Sequence, residues 1–180
     1  MTLALLVLLA ATAAPPGTPG AENLFRGPAR CVLGYLEAVR VAGPHGPVLA
    51  RQRRPAEQDY RAARALIAPR TLVEIDRLAG RGEDHPLAPW RAATRGVILE
   101  SFSLLEIRRA PRGSAVVTAR EQWRQDGTAS LGVTVSEYLV ARVGGEWKVV
   151  DRRTGAAFQE REIAEGYVRW FDDPPAEARR

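Results

Sequence analysis

The sequence predicts an α+β domain in which N-terminal helices pack on a curved antiparallel four-stranded meander. Three observations predict it. Apolar residues between 28 and 80 recur at helical spacing. Between 97 and 153 they fall in four β-rich runs separated by short turns, and the helical stretch comes before the strands.

The first helix is read in PARCVLGYLEAVRVAG, where Val32, Leu33, Leu36 and Val39 share one face, Pro28 suits a helix start and Gly43 lies just past the end. An Arg-, Pro- and Gly-rich loop follows, holding RQRR at 51–54. A second helix is expected from about Pro55 to Ile67, with Tyr60, Ala63 and Ile67 inward. TLVEIDRLAG reads as a third, opened by a capping box between Thr71 and Glu74, buried through Leu72, Ile75 and Leu78, and ended by Gly80. RGEDHPLAPW is a loop leading to Trp90 and a helical turn through Ala93.

Strands are expected at 97–109, 114–125, 130–143 and 146–153, joined by APRGS, by Asp126-Gly127 and by Gly144-Gly145. Short turns between consecutive strands make the meander antiparallel. After Gly155, residues Ile163, Tyr167, Trp170 and Phe171 fall at the spacing of an amphipathic C-terminal helix. Helices cover one face of such a sheet, and long strands curl so that the concave side forms a pocket.

The ends carry different signals. Leu3 to Ala10 is a short apolar run, and Ala11-Thr12-Ala13 has the small-x-small form of a signal peptidase site. No Lys or Arg precedes the run, and it is too short to span a bilayer. The domain reading is therefore a secretory signal at 1–13, a flexible Pro/Gly-rich leader at 14–27, one domain at 28–172 and a disordered tail at 173–180. The expected location is exported, periplasmic or extracellular, with no transmembrane segment after processing.

Composition excludes several classes. With 46% hydrophobic and 26% charged residues, the chain is neither disordered nor collagenous. A net charge of +5 invites a nucleic-acid reading, but Lys148 is the sole lysine, and Ala, Gly, Pro and Arg dominate throughout. That is the ordinary surface of a GC-rich bacterium's protein, and RQRR reads as a solvated loop, so no nucleic acid is expected. The one cysteine, Cys31, forbids an internal disulfide, and Arg30 before it does not suit lipidation. It reads as a buried helix thiol.

VLGYLEAV, then DYRAARALIAP, then YLVARVGGEWKVVDR together resemble the nuclear transport factor 2-like superfamily, which includes SnoaL-like cyclases and ketosteroid isomerases. The resemblance covers roughly residues 29 to 153 and rests most on the GGEWKVVD hairpin. It implies a cone-shaped α+β barrel with a central pocket, and a homodimer through the sheet. Such folds host many activities. The catalytic Tyr and Asp pattern of the isomerases is not matched, so no catalytic residue is carried over.

The strongest candidate for chemistry is Glu121. It follows Ala115, Val117 and Ala119 on one face and so interrupts an apolar row. A carboxylate there is poorly solvated, which suits a general base, with Tyr138 as helper. The competing reading is an ion pair at the rim with Arg120, Arg124 or Arg142. Tyr35, Trp90, Trp123, Trp147 and Asp151 are expected pocket-lining residues, although aromatics so spaced also serve as core. Glu83-Asp84-His85 lacks a second His or Cys nearby, and no metal site or cofactor motif is read. The favoured function is a non-catalytic exported domain that binds an apolar small molecule or a protein partner. The alternative is a small isomerase, dehydratase or cyclase using Glu121.

Overall fold

A computed structural model describes residues 27–42, 60–90, 97–125 and 131–166. Among them are helices α1 (Pro28–Ala42), α2 (Arg61–Ala65), α3 (Pro69–Gly80) and α4 (Glu160–Gly166), and strands β1 (Val97–Arg109), β2 (Ala115–Gln125), β3 (Leu131–Val143) and β4 (Glu146–Thr154). The strands form one antiparallel sheet in the order β1-β2-β3-β4, left unclosed. The architecture is α+β.

Apolar spacing accounts for α1, which buries Val32, Tyr35, Leu36 and Val39 on successive turns, while Leu33 sits 40% exposed on its flank. Gly27 is required by a close approach: a Cβ there would overlap the Trp147 indole. The third helix differs from its expected start. It begins at Pro69, with Ala68 as N-cap and no side-chain cap. Thr71 instead donates its hydroxyl to the Val150 carbonyl at 2.7 Å, and Glu74 pairs with Arg77. The buried strand offered a better acceptor-to-donor match than the helix end did. Ile67 is not helical either. It forms a parallel bridge to Val149, with Ala68 N–H to Val149 O and Val149 N–H to Leu66 O both at 2.8 Å. That stretch covers part of the free edge of β4.

Each face of the sheet carries a core. On the inner face Ala115, Val117, Ala119, Tyr138, Val140 and Val149 pack under α1 and with Tyr60, Ile67, Ile75 and Leu87. On the outer face Val116, Leu139, Ala141 and Val150 pack with Phe158 and Ile163 of the segment after β4. The chain beyond Gly166, which holds Tyr167, Trp170 and Phe171, lies outside the described residues, as do 1–26, RQRR, His45 and the Asp126-Gly127 turn.

Register irregularities interrupt β1 between Leu99 and Ser101 and between Leu104 and Glu106, and the β3–β4 ladder between Leu139 and Val140. Each inserts a residue on one strand and bends it. The last has the largest effect on the site. Val140 pairs with Val149 and Leu139 with Asp151, so Val150 is the extra residue. Parity then shifts by one, and Arg152 rather than Asp151 takes the inward position opposite Tyr138.

Candidate functional site

The site is built from one row of β2. Period-two alternation sends Ala119, Glu121 and Trp123 to the inner face, where Ala119 and Glu121 are fully buried. In register, Glu121 faces Phe102 of β1 and Thr134 of β3. An ionised carboxylate with no exposed surface needs donors, and three side chains supply them. Tyr138 donates its hydroxyl to Oε1 at 2.5 Å, while Trp123 Nε1–H and Arg152 Nη2–H donate to Oε2 at 2.8 and 2.6 Å.

Arg152 ties this cluster to the rest of the fold. Its guanidinium carbon lies 5.7 Å from the Trp123 ring centroid and 5.8 Å from that of Tyr138. Nη1 donates to the Pro86 carbonyl at 3.0 Å, and Nε is buried without a partner. Burial disfavours its charge, but Tyr138, Glu121 and Tyr35 outweigh that, and its pKa is raised. Burial holds the Tyr138 hydroxyl well above its ordinary range; the Arg152 charge opposes this and Glu121 adds to it. Tyr138 therefore keeps its proton and acts as a donor. Tyr35, raised mainly by burial, packs its ring 5.9 Å from Tyr138 and donates to the Leu87 carbonyl at 3.2 Å.

Beside the cluster opens a cleft of about 360 Å³. Pro86, Ala88 and Pro89, which follow α3, form one wall, and Val97, Trp123 and Arg152 also line the cleft. Asp84 and His85 complete the loop side. His85 Nδ1 accepts the Leu87 N–H at 3.0 Å, so the neutral ring carries its proton on Nε2. Burial lowers the His85 pKa, against a smaller upward pull from Asp151 and Glu74.

The structure thus brings Glu121, Tyr138 and Trp123 together, and of the expected lining residues it places Trp123 on this cleft. Tyr35 is core. Trp90 is buried on Tyr60, with ring centroids 5.6 Å apart. Trp147 lies half-buried at Gly27, its ring beneath Arg142. Asp151 is half-buried and its Oδ1 accepts the Arg152 N–H at 2.7 Å. The expected rim partners of Glu121 are engaged elsewhere or face away: Arg124 pairs with Glu100, Arg142 covers Trp147, and Arg120 is exposed. Sequence reasoning missed Arg152 because counting by twos from Trp147 and Val149 selects Asp151, and the bulge at Val150 moves the choice by one. It missed His85 as a cleft residue because nothing local ties a Pro-flanked loop to β2 and β4.

The arrangement leaves Glu121 little room for proton transfer. Its two oxygens accept from three side chains and neither touches solvent, whereas a general base must reach its substrate directly or through one water. It clasps β2, β3 and β4 together. Among the described residues no group of three or more His, Cys, Asp or Glu side chains is placed to hold a metal, and no helix is long and apolar enough to cross a membrane.

No family model and no curated protein matches the chain. Among solved structures, the intermembrane space region of the chloroplast protein ARC6 is similar at a TM-score of 0.41 and 17% identity, over 72% of this chain and 95% of that one.

Proposed function

We propose that this chain is a non-catalytic binding domain, of nuclear transport factor 2-like kind, that holds an apolar small molecule in the cleft beside Trp123. The observation that carries this reading is the cleft itself: Pro86, Ala88, Pro89 and Val97 supply apolar lining, and Trp123 and Arg152 line it with them. The saturated, buried Glu121 supports a structural role for the one carboxylate that interrupts the inner row. The apolar run at Leu3 to Ala10 and the following Ala11-Thr12-Ala13 support placing this activity outside the cytoplasm. Val133 and Val135, 53% and 49% exposed on the outer face of β3, support association of two copies through the sheet.

Native mass spectrometry of the full chain purified from its own host tests this. A retained small apolar molecule, lost from Trp123→Ala, is the expected result. The reading fails if the wild-type chain carries no added mass and a panel of hydrophobic ligands leaves its tryptophan fluorescence unchanged.

A further inference from the structure

Four hydrogen bonds between described residues help to hold the wall of the cleft, and one of them depends on an imidazole. Leu87 is fully buried, and its carbonyl accepts from Tyr35 while the Pro86 carbonyl accepts from Arg152. The Ala88 N–H donates to the His85 carbonyl at 2.8 Å, and the Leu87 N–H donates to His85 Nδ1 at 3.0 Å. The first three use groups that do not titrate near neutrality. The fourth requires a bare Nδ1.

We propose that His85 is a pH-sensitive latch: protonation at Nδ1 turns an acceptor into a donor facing the Leu87 N–H and releases the Pro86–Pro89 wall of the cleft. The proposal rests on the cleft being the binding site. Two donors cannot share one bond, so the imidazolium must turn away or Leu87 must move. The acids Asp151 of β4 and Glu74 of α3 act on the ring, Asp84 and Arg152 line the cleft with it, and Glu83 lies two residues before it in the loop. The acids favour the imidazolium once it has left the bond, which gives the released wall a stable alternative. Burial favours the neutral ring in the closed wall. The folded pKa therefore lies below the ordinary 6.5, the closed form takes up protons less readily than the open form, and the wall weakens as pH falls through and below that value.

Hydrogen exchange of the Leu87 and Ala88 amides in the full chain reads the wall directly. Their protection, corrected for intrinsic rate, should fall about tenfold or more between neutral pH and about pH 5 while β2 and β3 amides stay protected. In His85→Asn the side-chain oxygen takes the place of Nδ1 and does not titrate, so protection should be independent of pH. His85→Gln sets its oxygen further out, and the wall should be open already at neutral pH. Near-UV circular dichroism reports whether each variant is folded. The latch is overturned if wild-type Leu87 is equally protected at both pH values, or if His85→Asn keeps the wild-type pH dependence. Exchange reports on the wall with no ligand added, so a cleft that binds nothing removes the function proposed above and leaves the wall measurement intact.

Discussion

At the scale of single residues, the molecule is organised around a charge that its inner sheet face had to accommodate. Glu121 has no exposed surface, and its partner Arg152 has a side chain 12% exposed. A buried ion pair is weak support for stability as a whole, because desolvating both ions offsets their attraction. Removing one partner is a different matter. Glu121→Ala strands the Arg152 guanidinium between Trp123 and Tyr138 and leaves the Tyr138 hydroxyl without its acceptor, so it should cost about 3–5 kcal/mol in urea unfolding. The paired change Glu121→Leu with Arg152→Met should be less destabilising than Glu121→Ala. A double variant worse than the single would show that the charges contribute more than they cost.

At the scale of elements, the β3–β4 hairpin shows how much a turn can carry. Gly144 and Gly145 have φ of 61° and 86°, both in the left-handed region that a two-residue turn of matching twist requires. Gly145→Ala should cost about 1 kcal/mol, read as a lowered thermal midpoint, while Gly144→Asn should be nearly neutral because asparagine tolerates that conformation. Equal losses from both would mean that the turn is not held in this form. The same hairpin contains a feature that counting cannot find. A bulge adds Val150 to the pairing, and every inward position after it changes parity.

At the scale of the whole molecule, the sheet separates two cores that share its strands, one under α1 and one under Phe158 and Ile163. Arg153 stacks over Phe158 at 4.4 Å, and the Phe158 N–H donates to Glu137 Oε2 at 2.7 Å, so the segment after β4 is anchored by polar contacts as well as by burial. Phe158→Ala should cost about 3 kcal/mol and still give one cooperative unfolding transition, because both layers lose their support together when the strands part. Two resolved transitions by intrinsic fluorescence and circular dichroism would show that the layers fold separately.

The sequence by itself determined the α+β class, the four strands to within a residue or two of their ends, the inward row Ala115, Val117, Ala119 and Glu121, and the Gly144-Gly145 turn. These rest on period-two alternation and on glycine's access to positive φ, which act over neighbouring residues and need no knowledge of the rest of the chain. Only the tertiary structure decided what Glu121 does. Its donors lie 2, 17 and 31 residues away, and the last reaches it only because of a bulge on another strand. The cleft was decided in the same way, since its wall comes from a loop that meets Trp123 and Arg152 in space alone. Hydrogen bonding of a buried charge is settled by which donors arrive, and that depends on how strands and loops converge.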